Sequence, residues 1–167
     1  GGLMVLAADD PSMHSSQNEQ DSRFYGNFAM IPMLEPSNQQ EAYDMAYNGF
    51  ELSEKLGYPV MMRVVTRLAH SRSGVERRET KLQNGNSVPE DPRQFVLLPA
   101  IARRRYQHLL DMQGAILEAS ENSPYNQYLE GDNKKIGVVA CGITFNYLNE
   151  VFPNGCDYPV VKVSQYP

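Results

Sequence analysis

The sequence predicts an α/β fold built from two strand–helix–strand units. Three observations lead there. Residues 3–8 and 58–66 are short and nearly continuously apolar, as strands buried in a parallel sheet are, and strand-like runs recur at 135–140 and 158–163. Helical patterns with one apolar face lie between these runs. Glycine, proline and polar clusters fall at the joints.

The elements follow in order. Residues 3–8 read as a buried parallel strand, followed by a polar loop. Phe24, Tyr25 and Phe28 give residues 18–30 the spacing of a short helix. Residues 31–34 read as a second short strand, closed by Glu35-Pro36. Ser37 and Gln40 have the spacing of a capping box, opening a helix that buries Ala42, Met45, Ala46, Phe50 and Leu56 on or near one face. Gly57 is its stop, and residues 58–66 return as a third strand. Short joints make this a βαβ unit with a right-handed crossover.

The pattern then breaks. Residues 71–93 are polar, with Gly74, Gly85, Pro89 and Pro92, and read as a linker. Residues 97–120 suit one long helix, with Ile101, Leu109, Leu110, Met112, Ile116 and Leu117 on its apolar positions. After a loop at 122–133, a strand at 135–140, a helix at 142–152 and a strand at 158–163 form the second βαβ unit. The expected division is 1–78, a linker at 79–94, and a second domain at 95–167.

Composition narrows the class. The chain has 167 residues, 41% hydrophobic, with a formal net charge of −5. Net negative charge argues against general affinity for nucleic acid or anionic membranes, and no apolar run reaches the roughly 18 residues that span a bilayer. Residues 3–8 are too short for a secretory leader and lack a basic flank. Cys141 and Cys156 are the two cysteines, without a C-x-x-C pair, so no iron–sulfur cluster or structural zinc is expected on this chain alone. Scattered thiols fit a reducing, cytoplasmic compartment. Gly1 is followed almost at once by a strand, and the end comes just after another, so an internal fragment is expected.

The chemistry concentrates in residues 9–23, Asp-Asp-Pro-Ser-Met-His-Ser-Ser-Gln-Asn-Glu-Gln-Asp-Ser-Arg. Open α/β sheets bind ligands just beyond the carboxyl ends of their strands. The loop reads either as such a site or as a solvated connection. Arg23 suits a bidentate pair with a substrate carboxylate, or a salt bridge to Glu19 or Asp21. His14 beside Ser15 and Ser16 is no triad, because adjacent loop residues point in different directions. A G-x-S-x-G elbow is absent as well. Residues 140–144 form a strand-to-helix turn with a single glycine, which reads as a tight turn beside a buried cysteine rather than a dinucleotide fingerprint. Arg103, Arg104 and Arg105 read as a solvated helix face, and neither His70 nor His108 has metal-ligand spacing. No metal site is read from the sequence.

At residues 8–23 the chain resembles the large (α) subunits of the indolepyruvate branch of the thiamine diphosphate-dependent 2-oxoacid:ferredoxin oxidoreductases. The similarity continues through Pro32–Ser37, Gln40–Met45, Phe50–Lys55 and Pro59–Ser73, and resumes at Lys135-Ile136-Gly137 and Lys162–Pro167. It implies that residues 1–78 are the later part of a parallel-sheet domain of the pyrimidine-binding type, and that 95–167 are a transketolase C-terminal-like α/β domain. It implies oxidative decarboxylation of an aryl pyruvate with coenzyme A, electrons passing to ferredoxin, in anaerobic metabolism. Thiamine diphosphate and Mg²⁺ would serve the full enzyme. The activating glutamate would lie upstream of Gly1, and the diphosphate-binding domain and 4Fe–4S clusters downstream. The fragment alone is then expected to be inactive and to bind no cofactor tightly. A small β subunit and ferredoxin are the implied partners, in an oligomer. By resemblance in placement to the substrate-contacting arginine of related pyruvate enzymes, Arg23 would hold the substrate carboxylate. His14, Ser15, Ser16, Gln17 and Asn18 would supply hydrogen bonds. The competing readings are a subunit acting on pyruvate, 2-oxoglutarate or a branched-chain oxoacid, and a non-catalytic ligand-binding or assembly module.

Overall fold

A computed structural model describes residues 1–85 and 87–167. In chain order the elements are β1 (Met4–Asp9), α1 (Arg23–Ala29), β2 (Met33–Leu34), α2 (Gln39–Leu56), β3 (Val60–Val65) and α3 (Thr66–His70). A 3₁₀ turn at Pro92–Phe95 leads to α4 (Pro99–Asp111), α5 (Gln113–Glu121), β4 (Gln127–Leu129), β5 (Val138–Cys141), α6 (Thr144–Val151), β6 (Val160–Val163) and β7 (Gln165–Tyr166).

Two sheets form. The first has the order β1-β3-β2-β7, with β1, β3 and β2 parallel and β7 antiparallel to β2. The second is β4-β6-β5, with β5 and β6 parallel and β4 antiparallel. The core of the first unit is Leu34, Met45, Val60 and Met62, where β2 and β3 meet α2, and Tyr125 packs onto it from the far half of the chain. The last residues also bind the first unit. Asn126 Oδ1 accepts from the N–H groups of Ser164 and Gln165 at 2.8 and 2.9 Å, fixing the strand that pairs with β2. Buried Lys162 forms an ion pair with Glu41 of α2. The C-terminal residues therefore complete the first sheet.

Several elements differ from the expectation. β1 is an edge strand, with β3 on one side only, so Val5 and Leu6 are exposed rather than buried. The capping box sits one residue later: Asn38 caps α2, accepting from the Glu41 N–H at 2.9 Å, and Glu41 reaches back to the Ser37 N–H at 2.8 Å. The long helix is two helices, α4 opening on Pro99 and α5 starting after Met112. Gly57, at φ 72°, ends α2 as expected. Residues 71–85 do not hang free; they run along α2. Gln40 accepts from the Glu76 N–H, Arg78 pairs with Asp44, and Lys81 pairs with Glu51 while lying over the Tyr47 ring. Among the described residues, no helix is long and apolar enough to cross a membrane.

Candidate functional site

The carboxyl ends of four strands, three from the first sheet and one from the second, lie around one place. Asp9 is the last residue of β1, Val65 the last of β3, and Cys141 the last of β5, and Glu35 follows β2 directly. Between these ends lies an open cavity of about 870 Å³, walled by both sheets. The position is the one that parallel sheets offer to ligands.

The floor is a buried charge network. Arg63, on β3 and 5% exposed, places Nε 2.5 Å from Asp9 and Nη1 2.5 Å from Glu35. The Tyr166 hydroxyl donates to the other Glu35 oxygen at 2.8 Å, so β7 contributes directly. Burial works against the Arg63 charge, but its hydrogen bond to Asp9 and the Glu35 carboxylate raise its pKa overall. Burial, then the neighbouring Glu35, pushes the Tyr166 phenol up, and the same two causes push up the Cys141 thiol. Gly142 is at φ 50°, and a Cβ there would lie 2.6 Å from Glu35 Cγ. A glycine here lets the backbone close over the carboxylate.

The polar loop folds around two aspartates. Asp9 accepts from both the N–H and the hydroxyl of Ser22, just before α1. Asp10 accepts from the Ser15 and Ser16 N–H groups at 2.6 and 2.7 Å, and from the Thr66 hydroxyl at 2.7 Å. Ser12 and Met13 take positive φ, 68° and 52°, in the tight turn that this wrapping needs. Arg23 forms a two-bond pair with Asp21, at 2.7 and 2.6 Å.

Of the six residues expected at a site, His14 and Arg23 line the cavity. Ser15 and Ser16 use their backbone N–H groups on Asp10. Asn18 lines a smaller polar pocket together with Glu19, Gln20 and Asp21, and Gln17 lines neither. The sequence reading did not single out Glu35, Arg63 and Arg67 of the cavity wall, and it gave Asp9 and Asp10, within its candidate loop, no role of their own. One signal was available for Arg63: a single arginine inside an otherwise apolar strand needs buried carboxylates as partners.

These carboxylates set an acid limit. Burial opposes ionisation of Asp9, but the Ser22 hydroxyl and N–H and Arg63 outweigh it and lower its pKa. The Thr66 hydroxyl and then the Ser15 N–H hold Asp10 far below the carboxylate range. Groups with lowered folded values contribute stability that is full above the unfolded value, 3.8, and is lost as pH falls below it. Thermal melting should therefore be nearly flat from about pH 7 to 5 and fall steeply below about 4. Asp10→Asn should melt lower at neutral pH and lose less on acidification. An acid profile identical to wild type would contradict the role of Asp10.

The fold is one found in a 2-oxoacid oxidoreductase. The 2-oxoglutarate:ferredoxin oxidoreductase from Magnetococcus marinus, solved with 2-oxoglutarate, coenzyme A and succinyl-CoA bound, matches with a TM-score of 0.59 at 14% sequence identity. The match covers 98% of this chain and 37% of that one. In sequence, the chain is homologous to a segment of indolepyruvate oxidoreductase subunit IorA. It is 40% identical to that of Methanothermobacter marburgensis over 170 residues, covering 99% of this chain and 28% of the relative. The Archaeoglobus fulgidus subunit is 42% identical over 98% of the chain, and the Pyrococcus abyssi subunit 43% identical over 90%. The chain spans about a quarter of the length of these relatives. No family model matches it.

Proposed function

We propose that the chain is part of the catalytic large subunit of an indolepyruvate oxidoreductase. That enzyme converts an aryl 2-oxoacid and coenzyme A to an aryl-acetyl-CoA and CO₂, passing two electrons to ferredoxin. The observation that carries this is the 40–43% identity to IorA subunits along 90–99% of the chain. The small β subunit and ferredoxin are its partners in this reading, in the cytoplasm. The functional division falls within residues 79–94.

In this reading the cavity at the strand ends receives the 2-oxoacid. Its wall has a carboxylate-binding character: Arg23, Arg63 and Arg67, with His14 and Thr144 as further polar groups. Val65, Val139, Ile143 and Tyr147 give it an apolar side for an aryl ring. The network of Asp9, Arg63 and Glu35 holds the strand ends in place, and the Asp9–Ser22 bonds seat the start of α1. His14 and Arg23 border the substrate. Ser15 and Ser16 hold the loop through Asp10, and Gln17 and Asn18 would supply further hydrogen bonds from it.

Thiamine diphosphate supplies the electron sink for carbon–carbon cleavage when bound. The residues of this segment do not fit the Mg²⁺ of its diphosphate. Among the described residues Glu35 is the one carboxylate in the cavity wall, and it is already bonded to Arg63 and Tyr166. The described residues hold no cluster of three metal-ligating side chains. In this reading the diphosphate, its Mg²⁺ and the 4Fe–4S clusters belong to other parts of the full enzyme. Turnover of a 2-oxoacid panel by the full-length complex tests the reading.

A further inference from the structure

Three arginines reach the cavity, but they are not equivalent. Arg63 is engaged by two carboxylates, Asp9 and Glu35, each at 2.5 Å, and is buried. Arg23 is engaged by both oxygens of Asp21. Arg67 has no carboxylate within 4.0 Å among the described residues, and it is exposed at the cavity wall. A ligand that meets Arg23 or Arg63 must share a guanidinium whose charge and Nε–H are already taken by protein carboxylates. At Arg67 no protein carboxylate among the described residues competes for the fork.

The backbone under Arg67 is fixed on both sides. Thr66 donates its hydroxyl to the Asp9 carbonyl at 3.0 Å and to Asp10 at 2.7 Å. Leu68 is 5% exposed, packed into the protein. An anchored backbone with an uncommitted guanidinium lowers the ordering penalty of binding, and the planar fork suits a carboxylate or phosphate.

We propose that Arg67 is the residue of this cavity that receives the ligand's anionic group, a carboxylate or a phosphate. The proposal rests on the reading above and deepens it. Within that reading the two sources are the carboxylate of the 2-oxoacid and the phosphates of coenzyme A. Arg23 then orders the loop through Asp21, and Arg63 holds the strand ends.

The test uses the full-length subunit with its partner subunit, as wild type, Arg67→Gln and Arg67→Lys. Binding of indole-3-pyruvate and of coenzyme A is measured by calorimetry, and the KM for each is measured where turnover occurs. The expected result is a rise of about tenfold or more in Kd and KM for one of the two ligands in Arg67→Gln. Arg67→Lys should recover part of it, with the melting temperature unchanged. A change confined to the oxoacid identifies the carboxylate, and one confined to coenzyme A identifies the phosphates. Values for both ligands within twofold of wild type would overturn the proposal. So would a loss that appears only together with a lowered melting temperature, or a wild type that binds neither ligand at millimolar concentration. Because binding is measured directly, a wild type that binds but does not turn over indolepyruvate counts against the proposed function and not against Arg67.

Discussion

Arg63→Met lowers the stability of the chain by about 3–5 kcal/mol, read as a shift in urea midpoint. The size follows from what the arginine leaves behind. Asp9 is 4% exposed and Glu35 4% exposed, and each has an oxygen 2.5 Å from this guanidinium. Without it, two carboxylates remain buried side by side; Ser22 and Tyr166 supply hydrogen bonds but no opposing charge. Arg63→Lys rescues little, because a single ammonium replaces a fork that spans both partners. The variant also has a distinctive pH response. Asp9 loses one of the groups that lower its pKa, after the Ser22 hydroxyl and N–H, so Arg63→Met should lose less further stability than wild type as pH falls below about 4. Removing all three charges, as Asp9→Asn, Glu35→Gln and Arg63→Met together, should cost less than Arg63→Met alone. A loss below about 1 kcal/mol for Arg63→Met would mean that the network does not hold the strand ends together.

Gly142→Ala destabilises by about 2–4 kcal/mol, the sum of two terms. An alanine at φ 50° pays about 1 kcal/mol of backbone strain. Its Cβ would also sit 2.6 Å from Glu35 Cγ and 2.8 Å from Oε1, so the carboxylate must move. Overpacking of this kind costs about 1–3 kcal/mol. Glu35 cannot retreat freely, because Arg63 and Tyr166 hold its two oxygens. The same change at Gly155, which has positive φ but nothing within 4 Å of a Cβ, carries only the strain. Comparing the urea midpoints of the two variants isolates the contact with Glu35; equal losses would show that the contact is unimportant.

Much of the fold was legible because it rests on apolar runs. β3 and α2 carry long patterns of the right period, and Gly57 marks their boundary. β4 and β7 have three and two residues, too few to show any period, so their pairing emerges only from Asn126 and from β2 and β6. Asn38 displaced Ser37 as the cap because either residue can accept from the first turn, and the path of the chain decides which one does. The loop at residues 9–23 was legible as polar and special, but composition does not say where its polar groups point. In the structure they point largely at Asp9, Asp10 and Asp21. The cavity behind the loop draws on residues more than 120 positions apart, such as Pro11 and Tyr147, which no local pattern brings together.

The most direct measurement is CoA-dependent reduction of ferredoxin by the full-length complex, prepared without oxygen and supplied in turn with indolepyruvate, pyruvate and 2-oxoglutarate. The kcat/KM for indolepyruvate should be at least about tenfold above those for the other two acids, the discrimination available to an apolar wall that accepts an aryl ring. Equal or greater efficiency with 2-oxoglutarate or pyruvate, or no CoA-dependent reduction with any of them, would contradict the proposed function.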